Sequence, residues 1–117
     1  FMPRVTYEKY DQIVKSARDA NFNMIRVWGG GNYESDTFYE LCDKYGILLW
    51  HDFMYAGCTY PGGEEFWANV RQEAIEQVKR LRNHPSMAMW CGNNEIDEMW
   101  SNWGFRKPHN KDELWQW

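Results

Sequence analysis

The stretch Gly46-Ile47-Leu48-Leu49-Trp50-His51-Asp52-Phe53 decides the fold. It opens on a glycine, runs as unbroken apolar side chains, and stops on a polar pair. Immediately upstream, Phe38, Leu41, Cys42 and Tyr45 stand at i, i+3, i+4 and i+7, which places them on one helix face. Ser35 or Asp36 caps that helix, and Gly46 sits where left-handed backbone ends one. A continuous apolar run marks a strand buried on both faces, as in parallel sheets. The couplet is therefore a helix feeding a buried strand whose far end carries His51 and Asp52.

The same couplet recurs on either side. Thr6 is an N-cap, and Tyr10, Ile13, Val14 and Ala17 follow helical spacing over 7–20. A strand over 22–28 comes next, β-branched and aromatic, closed by Gly29-Gly30-Gly31. Downstream, a loop over 54–63 leads into a helix over 64–82 with the stripe Phe66, Val70, Ala74, Val78 and Leu81. His84-Pro85 breaks that helix, a third strand covers 86–91, and a short helix follows over 96–103. Helices alternating with apolar strands predict an α/β fold with a parallel sheet covered on both faces.

Composition narrows the function classes. The 117 residues suffice for one ordinary domain and not for two. Thirteen Lys and Arg against seventeen Asp and Glu give a net charge of -4, without the basic stripe that nucleic-acid binding needs. Lys79-Arg80-Leu81-Arg82 reads as a solvated helix end. The longest strongly apolar run, 47–50, is far short of the ~20 residues of a membrane span. Phe1-Met2-Pro3-Arg4 has no charged n-region or apolar h-region, so no signal peptide is visible. Cys42, Cys58 and Cys91 are too few and too scattered for a disulfide framework or a CxxC metal site, and are expected to be reduced. Eight Trp, seven Tyr and six Phe are the outlier; they serve either as core or as platforms for sugar rings or bases.

In parallel α/β folds functional groups gather at the C-terminal ends of strands. Those ends here are Arg26-Val27-Trp28-Gly29, Trp50-His51-Asp52-Phe53 and Cys91-Gly92-Asn93-Asn94-Glu95. Glu95, if enclosed by Trp, Cys and Met, would have its charged form disfavoured and suit general acid catalysis. It reads equally as the exposed first acid of the next helix. Arg26, in step with Met24 and Trp28, points into a cleft and must meet a carboxylate, or else forms a structural salt bridge. The glycines match neither phosphate-loop pattern and are read as a sharp turn that leaves Trp28 at the rim of a pocket. His51 and Asp52 lack the further ligands or nucleophile that a metal site or triad needs. His84 reads as a loop or cap residue, His109 as a surface one, and Asp97 and Glu98 as solvated.

These same strand ends resemble family 2 β-mannosidases. The run 23–34, with Trp28-Gly29-Gly30-Gly31, resembles the family's second-strand segment. Phe38-Tyr39-Glu40-Leu41-Cys42-Asp43 with the run 46–54 resembles its third βα unit. Leu81-Arg82-Asn83-His84-Pro85-Ser86 with Trp90-Cys91-Gly92-Asn93-Asn94-Glu95 resembles its fourth strand and Asn-Glu signature. The likeness spans roughly residues 5–105, and the tryptophan-glycine element favours β-mannosidase over the β-galactosidase and β-glucuronidase branches.

The resemblance implies part of a (β/α)8 barrel, about three βα units with strands near 22–28, 47–53 and 86–91. The implied activity is retaining removal of terminal β-D-mannose from non-reducing ends of a β-mannoside oligosaccharide, with no cofactor and no metal. Glu95 would be the general acid/base, Asn94 would contact the sugar 2-OH, Arg26 would face the nucleophile carboxylate, and Trp28 would line the mannose subsite. Asp52 is implied as a group supporting substrate binding. His51 stands where the family often carries Gln, which leaves it without an implied role. The family suggests a bacterial periplasm or a lysosome.

Such a barrel takes about 250 residues, and its nucleophile belongs to a later strand than any in this chain. The 117 residues alone are therefore expected to be inactive, and their outermost strands to favour self-association. Two other readings stay open: another family 2 β-glycosidase on the same barrel, and a non-catalytic carbohydrate-binding fragment using Trp28, Trp50 and Trp90. Modules of the second kind are usually all-β, against the alternation seen here.

Overall fold

The computed structural model describes residues 5–105. Four helices alternate with three strands: α1 (Tyr7–Asp19), β1 (Met24–Val27), α2 (Asp36–Tyr45), β2 (Leu48–Asp52), α3 (Glu64–Leu81), β3 (Met87–Cys91) and α4 (Ile96–Asn102). The strands form one parallel sheet in the order β1-β2-β3. His109 lies outside the described residues.

Local chemistry sets the element ends. The Thr6 hydroxyl accepts a hydrogen bond from the Lys9 amide at 3.4 Å at the start of α1. Gly46 closes α2 with φ 71°, and the Ile47 amide returns to the Cys42 carbonyl at 3.0 Å. That positive φ is cheap for glycine and costly for other residues. Ser35 is the N-cap of α2 by position, though its side chain makes no capping bond. The strands are one to three residues shorter than their apolar runs because Phe22, Asn23, Trp28 and Phe53 lie outside the ladder.

The core lies on one face of the sheet. Tyr10 and Val14 of α1, Phe38, Tyr39, Leu41 and Cys42 of α2, and Leu81 of α3 pack with Val27, Ile47 and Leu49. Full burial of each large apolar side chain contributes about 1.5–3 kcal/mol. Burial also pushes the Cys42 thiol up to about 12, so it behaves as a small hydrophobe.

Among the described residues no element covers the other face, which differs from the expectation of a sheet covered on both sides. Register pairs Met24 with Leu48, Arg26 with Trp50, Trp50 with Met89 and Asp52 with Cys91, so these residues share that face. Its apolar end stays substantially exposed: Met24 38%, Leu48 42% and Met89 43%. The physical reason is that α1, α2 and α3 all contribute to the single core on the opposite face. An irregularity between Leu49 and Trp50, where Ala88 has no partner, shifts the register of β3 by one residue. Among the described residues no helix is long and apolar enough to cross a membrane.

Candidate functional site

At the C-terminal end of the open face, β1, β2 and the segment that follows β3 bring one polar group each to a common point. Arg26 donates from Nε to Asp52 Oδ1 at 3.2 Å and from Nη2 to Asp52 Oδ2 at 2.7 Å. The same Nη2 donates to Asn94 Oδ1 at 2.9 Å. Asp52 Oδ2 also accepts the Gly29 amide at 3.0 Å. The carboxylate is fully buried, whereas the Arg26 side chain keeps 37% exposure. The Asp52 hydrogen bonds raise the pKa of Arg26, and its guanidinium lies 4.8 Å over the Trp50 ring. Arg26 has found its carboxylate within the chain, and that carboxylate is Asp52.

Asn94 and Glu95 continue the arrangement beyond β3. The Asn94 amide bonds the Tyr55 carbonyl at 2.8 Å, and the Gly57 amide bonds the Asn94 carbonyl at 3.0 Å. An isolated parallel bridge thus ties residues 55–57 to Asn94. The Asn94 side chain is fixed at both ends, because its Nδ2 donates to Glu95 Oε2 at 3.0 Å. Glu95 has φ 62°, the left-handed region, which a non-glycine residue occupies at a cost of order 1 kcal/mol. Its carbonyl opens α4 by accepting the Met99 amide at 2.8 Å. The Glu95 carboxylate is exposed, not enclosed by Trp, Cys and Met, because the open face carries no element above it among the described residues. The helix-start reading of Glu95 therefore describes its backbone, and its side chain belongs to the Arg26–Asp52–Asn94 cluster.

Sequence reasoning missed the support beneath this cluster. His51 is fully buried; its Nδ1–H donates to the Asp52 carbonyl at 2.7 Å, leaving Nε2 to accept the Tyr39 hydroxyl at 2.8 Å. The Tyr39 oxygen in turn takes the Glu34 amide at 3.3 Å. Burial lowers the His51 pKa, which keeps the ring neutral, and burial raises that of Tyr39 to about 12. The tautomer is fixed by its neighbours. The signal in the sequence was a polar side chain on the core-facing register of a buried strand.

Other expectations fall into place around this. Trp28 is 51% exposed at the rim beyond β1. His84 is a loop residue bonded to Asp43 Oδ2 at 2.6 Å, and Asp43 Oδ1 takes the Ser86 amide at 2.9 Å. Burial opposes ionisation of Asp43, but the bonds from Ser86 and His84 outweigh it and lower its pKa. Arg80 is not simply solvated: it holds Asp36 and the Glu34 carbonyl. Among the described residues no group of His, Cys, Asp and Glu is gathered that could hold a metal ion.

No protein-family model matches the chain. Curated relatives do. A β-mannosidase of Capra hircus is 49% identical over 109 residues, 92% of this chain and 12% of that protein. A β-mannosidase B of Thermothelomyces thermophilus is 48% identical over 95 residues, 81% of this chain and 11% of that protein. Among solved structures, a β-D-mannosidase from Dictyoglomus thermophilum superposes with a TM-score of 0.78 at 54% identity, covering 80% of this chain and 12% of that one. A β-glucuronidase from Bacteroides uniformis gives 0.70 at 28% identity, covering 79% of this chain and 11% of that one.

The parallel α/β sheet, with a carboxylate and an amide at its C-terminal edge, is thus similar to one part of several glycoside hydrolases. More narrowly, its sequence is similar to one segment of β-mannosidases. It spans about an eighth of the length of the curated relatives it matches.

Proposed function

We propose that the protein containing this chain is a retaining exo-β-mannosidase that removes terminal β-D-mannose from the non-reducing ends of oligosaccharides. The observation that carries the reading is the Asn94–Glu95 pair, held by Arg26 and by the 55–57 bridge at the open end of a parallel sheet. Identity near one half to β-mannosidases, against 28% to a β-glucuronidase on a similar fold, favours mannosides over the other substrates of this architecture.

The three parallel strands and their helices are read as about three units of a (β/α)8 barrel, with the open face as its interior. In that setting Glu95 protonates the departing glycosidic oxygen and later takes a proton from the attacking water. Asn94 receives the sugar 2-OH, with its amide already oriented by Arg26 and Glu95. Trp28 lines the mannose subsite. Asp52 does not reach substrate: it is enclosed and acts by fixing Arg26 and the Gly29 amide. For the same reason it is not the nucleophile, since its oxygens already accept three hydrogen bonds. Retention requires a second carboxylate about 5–5.5 Å from the acid/base, supplied by another part of the parent protein.

A panel of aryl β-glycosides tests this with the whole protein. Turnover of the mannoside at least tenfold above the glucoside, galactoside and glucuronide is expected. Preference for any of the others would overturn the substrate assignment.

A further inference from the structure

The three glycines after β1 are crowded by different things. A methyl group on Gly29 would meet backbone, 2.6 Å from the Phe53 carbonyl oxygen and 2.8 Å from that of Tyr55. On Gly31 it would lie 3.2 Å from the Trp28 carbonyl oxygen. On Gly30 it would meet the indole of Trp28 instead, overlapping Cη2 and Cζ3 and coming within 2.5 Å of Cζ2. The backbone of Gly30 is not in the left-handed region, so conformation alone does not call for glycine there. What calls for it is the ring, the outer edge of whose six-membered part occupies the space where a side chain would begin.

Half of Trp28 nevertheless remains open. Arg26 and Trp28 line a common cavity of about 250 Å³, with Gly31, Asn32 and Glu34 also in its wall. The Gly31 amide bonds the Trp28 carbonyl at 3.0 Å, which folds the chain back beneath the ring.

We propose that Gly30 is a positioning residue: by leaving its Cβ site empty it lets the Trp28 indole rest its outer edge against the chain and so sets the height and tilt at which the exposed ring meets the apolar face of a sugar. The part concerning sugar rests on the mannosidase reading; the part concerning the ring rests on packing alone. A ring already seated on its own backbone has little rotamer freedom left to lose on binding, which favours affinity through preorganisation. A β-carbon at position 30 would lift the ring without disturbing the fold, because the atoms it displaces are the far end of a side chain.

The test uses the whole protein as wild type, Gly30→Ala, Trp28→Ala and the double variant, with an aryl β-mannoside as substrate. Gly30→Ala is expected to raise KM about tenfold with kcat nearly unchanged, as loss of an aromatic contact of ordinary strength would. In the Trp28→Ala background the same substitution is expected to change kcat/KM by less than about twofold, because the group it acts through is gone. Fluorine spectra of 5-fluorotryptophan-labelled protein, with the Trp28 resonance assigned by its loss in Trp28→Ala, supply a readout independent of turnover. Gly30→Ala should shift that resonance without sugar and abolish its response to added D-mannose. An unshifted Trp28 resonance in Gly30→Ala, or an equal loss of kcat/KM in both backgrounds, overturns the proposal. A wild-type enzyme inert on the mannoside but active on another β-glycoside, whose sugar still moves the Trp28 resonance only when Gly30 is present, refutes the mannose reading and supports the positioning role.

Discussion

Replacing Asp52 by Asn keeps the shape of the side chain and removes its charge. In the native cluster Oδ2 accepts from Arg26 Nη2 at 2.7 Å and from the Gly29 amide at 3.0 Å, while Oδ1 accepts from Arg26 Nε at 3.2 Å. Asn offers one accepting oxygen, so its NH2 must face a donor in either orientation. If the oxygen keeps the Oδ2 position, the long Nε bond is lost; the reverse orientation loses the short bond and the Gly29 bond together. Breaking a buried ion pair costs about 3–5 kcal/mol when a buried charge is stranded, but the Arg26 side chain is 37% exposed and can rehydrate. The loss of one charge-assisted hydrogen bond, about 1.5–3 kcal/mol, is therefore the better measure. Because Arg26 Nη2 also holds Asn94 Oδ1, part of that loss falls on the orientation of Asn94. A fall in kcat/KM of about 10–100-fold follows if most of it reaches the transition state. The assay is steady-state turnover of an aryl mannoside by the whole enzyme, completed by Arg26→Lys and the double variant. Arg26→Lys loses the two-pronged grip, so Asp52→Asn should cost much less in that background. Wild-type kcat/KM in Asp52→Asn, or strictly additive losses, would refute the assignment of Asp52 as the group that fixes Arg26.

The buried His51 predicts an acid-side weakness. Its folded pKa lies below the unfolded value because burial disfavours the imidazolium. The unfolded chain therefore takes up the extra proton first as pH falls below about 6.5. The stability present above that pH is lost progressively on acidification until the folded pKa is reached. His51→Gln should flatten this part of the pH–stability profile, measured as the denaturation midpoint between pH 5 and 7.5; an unchanged slope would show that His51 does not titrate on unfolding. Gly29→Ala should destabilise the protein by about 1–3 kcal/mol, the usual cost of overpacking. A methyl there can be accommodated only by moving the backbone of residues 53–55, which also anchors Asn94. A denaturation midpoint within error of wild type would contradict that crowding.

The fold was legible wherever one residue settles one local choice. Gly46 ends α2 in left-handed backbone, the helical stripe of Phe38, Leu41 and Cys42 packs into the core, and the polar stops at Arg26, Asp52 and Asn94 converge because parallel strands all end on the same side. Two features were not legible. An apolar run does not say what covers it, and the Met24–Leu48–Met89 side stays open because every helix of the core lies opposite. The enclosure expected around Glu95 failed for the same reason. The second is the left-handed backbone of Glu95, which is imposed by the 55–57 bridge on Asn94 and by the start of α4, contacts between distant parts of the chain that no local pattern announces. His51 lies between these cases: its place on the core-facing register could be counted from Leu49, but its partners, Tyr39 and the Asp52 carbonyl, needed the fold.

The central claim is that Glu95 serves as acid/base at the Arg26–Asp52–Asn94 cluster, and leaving-group dependence in Glu95→Gln tests it most directly. The whole enzyme would be assayed on a mannobioside or alkyl mannoside, whose leaving group needs a proton, and on an activated aryl mannoside, whose leaving group does not. Loss of general acid catalysis predicts a fall of about 10²–10⁴-fold on the first and a much smaller effect on formation of the covalent intermediate from the second. Azide, which attacks without a base, should then restore turnover of the aryl substrate and yield β-mannosyl azide. Equal losses on both substrates with no rescue by azide would show that the proton comes from another group and that Glu95 serves only to start α4.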